Sequence, residues 1–311
     1  SYPDRDTLSG FCICFSGDEM KNAVSILCVL LLGALLLLRP EAAAGAVTDG
    51  LALCARTVIP TLLPFFVVTS LLLKLGFAQW LRGIFSPVMG PLFHLRGICA
   101  MPLLAGLLGG YPAGARTVRE LFDQGLLTRR EGELLLGFCN NCGPGFLVGF
   151  AGTVLGGPRA GLRLYAIHVL SALLTGLLLC RLGRDRGPGP LPLPGPAEER
   201  FPLSTALPQA ISGALGATLQ ICAFVAVFRV PAALLPLPRW CLGLLEMVSA
   251  VGALSPSPGA MAAAAAIVGW GGLCVHCQTL AVIGDLSPRY HWAGKAIQAA
   301  LSALLALALG R

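Results

Sequence analysis

The sequence predicts an all-α, polytopic integral membrane protein, built as two pseudo-repeated halves with discontinuous or re-entrant helices. Three observations carry that reading. Only 12% of the 311 residues are charged, about half the roughly 25% of soluble domains. The apolar set AVILMFWYC makes up 56%, and the mean hydropathy is +0.79. The charges are also clustered, leaving stretches free of Asp, Glu, Lys and Arg at 22–38, 57–73, 97–115, 134–158, 164–180, 201–228, 247–284 and 296–310. A membrane-spanning helix needs about 20 mainly apolar residues, so most stretches fit one crossing and 247–284 holds more than one element. The same composition excludes a water-soluble enzyme, which needs a charged shell, and a disordered chain, which is polar. No short alternating strands point to a β-barrel.

Residues 1–19 carry four acids (Asp4, Asp6, Asp18, Glu19) against Arg5 and read as an upstream extension. Met20-Lys21 followed by the run 22–38 reads as a natural start and a retained first helix. The run is long for a signal-peptide core, and Ala42-Ala43-Ala44 lies beyond Arg39-Pro40. A first membrane half is expected over 20–182 and a second over 203–311. They are joined by 183–202, whose six prolines and four glycines make an extended, solvated connection. Arg116–Glu133 carries four Arg and four acids around Leu121-Phe122 and Leu126-Leu127. It reads as an amphipathic helical hairpin at the membrane surface. With Lys21 inside, Lys74, Arg82 and Arg96 also fall inside, and Arg116, Arg119, Arg129 and Arg130 join them only if 97–115 re-enters rather than crosses. Whether 134–158 spans or re-enters, and on which side the linker lies, stay open.

The candidate working centre is where helices must break. Segment 97–115 has Pro102, Pro112, Gly106, Gly109, Gly110 and Gly114. Segment 134–158 has seven glycines and two prolines around Asn140-Asn141-Cys142-Gly143-Pro144-Gly145-Phe146. Glycine loosens the backbone and proline removes a ladder hydrogen bond, so neither is one smooth helix. The second half repeats the theme at Ser255–Gly259 and at Gly269–Gln278 (GWGGLCVHCQ). Interrupted segments in both halves point to a transporter substrate site, with half-helix N-termini offering N–H groups to an anion. The bland alternative is that the glycines only allow close helix packing.

Glu246 is the only carboxylate well inside an apolar stretch, where a charge costs about 2.5–3.5 kcal/mol or more. It would bind a coupling cation or proton or touch the solute; otherwise it makes a structural hydrogen bond. His168 reads as a packing or interfacial histidine. The pairs Cys139/Cys142 and Cys274/Cys277 have metal-ligand spacing, but both lie inside membrane runs rather than polar knuckles. Cys28, Cys99, Cys180, Cys222 and Cys241 sit in apolar runs as small hydrophobes. No metal and no cofactor are expected. No Walker loop, GxSxG elbow, HExxH or nucleic-acid signature occurs, so neither an enzyme nor a nucleic-acid partner is expected. The pathway residues expected from the sequence are Arg116, Asn140, Asn141, Gly143, Pro144, Glu246, Gly272, His276 and Gln278.

The motifs Gly109–Arg116 (GGYPAGAR), Asn140–Phe146 (NNCGPGF), Leu245-Glu246 and Gly271–Gln278 (GGLCVHCQ), with Pro60–Phe66 (PTLLPFF), resemble the YlbJ-type family of sporulation integral membrane proteins, of the nucleoside-recognition or Gate group. The order and spacing match over roughly 20–311. The family's Thr-Ser before Gly-Pro is Asn141-Cys142 here, so an amide and a thiol stand where a hydroxyl contact would be. The resemblance implies a protein of the bacterial cytoplasmic membrane, in sporulating cells of the outer forespore membrane, that moves a small anion, dipicolinic acid first, toward the forespore. A planar dianion would be met by Arg116, Asn140, Asn141, Gln278 and the Gly143-Pro144 break. Transport of nucleosides or another polar metabolite, and a non-transporting scaffold for sporulation proteins, are the alternatives. The lipid bilayer is the one certain partner, and homo-oligomerisation stays open.

Overall fold

A computed structural model describes residues 17–182 and 202–309. Residues 1–16 of the extension expected over 1–19, and 183–201 of the linker expected over 183–202, lie outside the described residues. Everything described is helix, turn or coil. The helices are α1 (Gly17–Leu38), α2 (Pro40–Leu53), α3 (Ile59–Lys74), α4 (Phe77–Phe93), α5 (Ala100–Gly109), α6 (Ala113–Asp123), α7 (Arg129–Leu136), the short α8 (Gly152–Val154), α9 (Pro158–Leu182), α10 (Leu203–Leu234), α11 (Arg239–Leu245), α12 (Met247–Gly252), α13 (Ala260–Trp270), α14 (Gly272–Ile283) and α15 (Arg289–Leu309).

Four spans are long and apolar enough to cross a bilayer: α9, α10, the α13–α14 pair over Ala260–Ile283, and α15. Two bent pairs add up to two more, α1–α2 at 105° and α4–α5 at 91°. The chain is thus an all-α polytopic membrane protein with broken helices. Each bend has a local cause. Arg39 precedes Pro40, whose ring pushes it out of the helical region, to φ −137° and ψ 59°. At the other bend His94 takes φ 53°, and His94 N–H and Leu95 N–H reach back to Gly90 O (2.9 Å) and Met89 O (3.2 Å). That closes α4 with a left-handed cap.

The structure departs from the charge-gap reading in three places. Residues 40–74 form a nearly continuous helix, α2 running through a π-helical turn at Cys54–Val58 into α3, where a loop and a separate return helix were expected. The lone charges Glu41, Asp49 and Arg56 do not end a helix whose other side packs on α10. α10 itself continues past Arg229 to Leu234, because Arg229 turns its guanidinium to Ser249 Oγ (2.7 Å) instead of leaving the membrane run. The last helix begins at Arg289, not after Lys295.

α15 packs on α13 and α9. The hairpin α6–α7 opens its second helix with a capping box: Thr128 Oγ1 accepts the Glu131 N–H (3.2 Å), and Glu131 Oε2 accepts the Thr128 N–H (2.9 Å). Its apolar residues Val118, Leu121, Leu134 and Leu135 are buried. α5 and α14 cover α6, and α15 covers α7. The hairpin therefore rests on protein. Its charges are paired: Glu131 with Arg96, and Asp285 of the α14–α15 loop with both Arg119 and Arg129. Ser287 N–H also donates to Glu133 (3.0 Å). The loop and the hairpin consequently lie at the same end of the bundle.

Candidate functional site: a cavity where the helix breaks meet

Four interruptions converge. α5 stops at Gly109 and α6 starts at Ala113, leaving Gly110 at φ 85°. Residues 139–143 carry no regular helix between α7 and the π-helical stretch Gly145–Ala151. α11 and α12 are separated by the extended residue Glu246 (φ −148°, ψ 113°). Gly271 and Gly272, at φ 90° and 80°, break α13 from α14.

The first two breaks touch backbone to backbone. A Cβ on Gly110 would lie 3.0 Å from Gly143 N, and one on Gly143 3.1 Å from Gly110 N. The last two touch likewise, since a Cβ on Gly272 would lie 3.1 Å from Leu245 O. Tyr111 joins the two groups: its hydroxyl donates to Val268 O (2.9 Å), and a Cβ on Gly271 would meet that hydroxyl at 3.4 Å. Irregular backbone at membrane depth is tolerated where it is buried in protein or lines a cavity. Both conditions hold here.

Between these breaks lies a cavity of about 290 Å³. Gly110, Tyr111 and Gly143 line it from the first half, and Glu246, Val275 and Gln278 from the second. Much of the remaining wall is apolar, including Leu62, Phe146, Ile221 and Met247. Glu246 is 1% exposed. Its Oε1 accepts the Val248 N–H and its Oε2 the Ser249 N–H, both at 2.7 Å. These are orphan donors at the start of α12, so the carboxylate is placed where a helix N-terminus favours it. Gln278 holds its amide against Cys274 Sγ (3.3 Å).

Of the expected pathway residues, Gly143, Glu246 and Gln278 line the cavity. Asn140, Asn141, Pro144, Gly272 and His276 stand behind the lining. Asn140 Nδ2 donates to Thr279 Oγ1 (2.7 Å); its Oδ1 is buried with no partner among the described residues. Asn141 Nδ2 donates to Phe138 O (2.8 Å) and its Oδ1 accepts from Gln298 Nε2 (2.9 Å). His276 Nδ1 lies 2.8 Å from His291 Nε2, its ring against Trp270 and Trp292 with centroids 4.4 Å away. Arg116 is placed elsewhere. It pairs with Glu120 (2.8 Å), donates to Gly213 O (2.9 Å) and lies over Phe66, because the helical phase of α6 turns it toward α10. The two cysteine pairs stay apart from other ligand types: among the described residues no group of three or more His, Cys, Asp or Glu is arranged to hold a metal ion.

His168 has a larger part than packing, since its Nε2 accepts the Cys142 N–H at 3.0 Å inside the unwound segment. Sequence reasoning missed Lys295, which is fully buried and donates to Tyr111 Oη (2.9 Å), Asn140 O (2.9 Å) and Gln298 Oε1 (2.6 Å). The signal was present as a polar stripe, His291, Lys295, Gln298 and Ser302, at helical spacing along one face of an apolar helix. All four are 0% exposed.

Fold and cavity together define a polytopic membrane protein whose interrupted helices enclose an intramembrane pocket. Residues 55–156 match the Gate family, described as nucleoside recognition, and so cover the first two breaks. The chain is 28% identical over 218 residues to the sporulation integral membrane protein YlbJ of Bacillus subtilis (strain 168), an alignment covering 65% of this chain and 53% of that protein. The chain therefore spans about half the length of the curated relative it matches. The YlbJ-type resemblance read from the motifs is borne out. No solved structure matches.

Proposed function

We propose that the chain is a YlbJ-type permease of spore formation that carries a small, planar, polar metabolite through the cavity between its breaks. Dipicolinate is the first candidate, and the outer forespore membrane the expected location. The observation that carries this reading is the pocket itself: helix interruptions from both halves supply its wall, the arrangement in which a solute site is exposed by moving one half against the other. The apolar lining suits an aromatic ring, and the few polar groups fix its orientation.

A specific feature favours nucleosides as a second reading. Glu246 presents a carboxylate to the pocket, which suits the hydroxyl and N–H donors of a nucleoside better than a dianion, and the matching family is described as nucleoside recognition. Uptake of labelled dipicolinate and of labelled uridine by liposomes containing the purified protein separates the two. Glu246→Gln and Asn140→Ala should each impair uptake of the true substrate while leaving the protein in the membrane. Wild-type protein that moves neither compound, with partner binding that fails only when the α6–α7 hairpin is altered, would make it a scaffold instead.

A further inference from the structure

We propose that Lys295 is a proton-binding site whose occupancy sets the direction of the Tyr111 hydroxyl, and thereby couples protonation to the seam between the halves; the coupling role rests on the permease reading, the proton site does not.

An ionisable side chain at membrane depth calls for a partner or a task. Lys295 lies two turns inside α15, and no carboxylate stands within 4 Å of its Nζ among the described residues. Its neighbours are instead three oxygens: Tyr111 Oη, Asn140 O and Gln298 Oε1. An ammonium has three N–H donors and no acceptor, so three oxygens satisfy it completely. The Tyr111 hydroxyl, receiving from Lys295, then spends its own proton on Val268 O.

A neutral amine cannot keep that pattern. It has two N–H donors and one lone pair. The fixed acceptors Asn140 O and Gln298 Oε1 retain the two donors, and the lone pair faces Tyr111. The Tyr111 O–H then turns to donate to Nζ and leaves Val268 O. The proton lost from Nζ passes to solvent by way of the cavity, whose wall Tyr111 forms. Val268 lies in the last turn of α13, next to the Gly271 break. Losing the proton therefore releases the hydrogen bond from Tyr111 to α13 beside that break and leaves only apolar packing between them. The other titratable groups facing Lys295 are Cys139 and Cys142 of the unwound segment, His168 of α9, His276 of α14 and His291 of α15. None is a carboxylate, so none supplies a permanent counter-charge.

The test is pH-difference infrared spectroscopy of the purified protein in detergent between about pH 6 and 10, a range that reaches the ordinary lysine value. Wild type should show a tyrosine C–O band change that is absent from both Tyr111→Phe and Lys295→Met. In liposomes, an imposed pH gradient should accelerate wild-type uptake, and Lys295→Met should show about tenfold less of that acceleration, about 1.4 kcal/mol, within the range of one hydrogen bond. A wild type without the tyrosine band, or a band that survives in Lys295→Met, overturns the proton site. Should Lys295→Met fail to fold, Lys295→Arg, whose charge does not titrate in this range, takes its place and should likewise lack the band. A band without any uptake leaves the proton site standing and removes the permease.

Discussion

The imidazole of His168, on α9, accepts the backbone N–H of Cys142 at 3.0 Å, with both residues buried. An unwound segment exposes N–H groups that no helix satisfies, and at membrane depth water does not take over. His168→Ala should therefore destabilise the protein by about 1–3 kcal/mol, the cost of leaving a buried donor unmade. Thermal unfolding in detergent measures it, and His168→Gln, which keeps an acceptor, should recover part of the loss. Equal stability of wild type and alanine variant would remove the histidine from this role.

Glu246 both caps α12 and faces the cavity, and its two duties are separable. Glu246→Gln keeps one capping oxygen but turns its NH2 toward the other buried N–H, so the expected stability loss is about 1–3 kcal/mol. Uptake of the transported solute should fall much further than that loss explains. Parallel melting curves and initial uptake rates make the comparison; rates that follow stability alone would leave Glu246 a cap.

Close backbone approach at the first breaks is sterically strict. A Cβ on Gly106 would meet Cys139 O at 1.7 Å, and one on Gly114 the same oxygen at 2.1 Å. Gly106→Ala and Gly114→Ala should each cost about 3 kcal/mol or more, at or beyond the upper end of ordinary overpacking. Gly90→Ala, whose Cβ meets nothing within 4 Å, is the control and should fold like wild type. Yield of monodisperse protein after size-exclusion chromatography reads the contrast.

Acid should loosen the end of the bundle formed by the α6–α7 hairpin and the α14–α15 loop. Arg119, and then Arg129, hydrogen-bond Asp285 and pull its carboxyl from 3.8 down to about 2. For Glu131, burial alone would raise the value, but the Arg96 and Thr128 hydrogen bonds outweigh it and hold the group below the usual range. A carboxylate held low in the folded state stabilises above its unfolded value and loses that contribution as pH falls through the folded one. Hydrogen exchange of residues 284–287 should thus rise as pH drops from 3.8 toward about 2, after correction for intrinsic exchange. The rise should be smaller in Asp285→Asn, which already lacks the carboxylate that Arg119 and Arg129 hold. The pairs on Asp285 are solvent-exposed, so added salt should weaken the docking in the same direction.

The membrane class and the breaks were legible because composition and glycine placement act locally: Gly110, Gly143 and Gly271 interrupt helices wherever they sit. What the sequence hides is the direction in which a side chain points. Arg116, adjoining a break, looked like a solute ligand, yet one helical turn of α6 aims it at Glu120 and Gly213. The role of His168 was hidden because its ring's partner is a backbone group 26 residues away. Lys295 escaped notice because counting charge-free runs treats every lysine as a boundary, whereas four satisfied polar residues on one face let α15 carry a cation inside.

Gly110 and Gly143 meet with no side chain between them, and this has a mechanical consequence. Two main chains in direct contact offer nothing compressible and no rotamer to flip, so those two kinks travel as a single rigid piece. Under the proposed permease function, the moving edge of the pocket is then expected on the opposite side, in the short segments flanking Glu246 and Gly272.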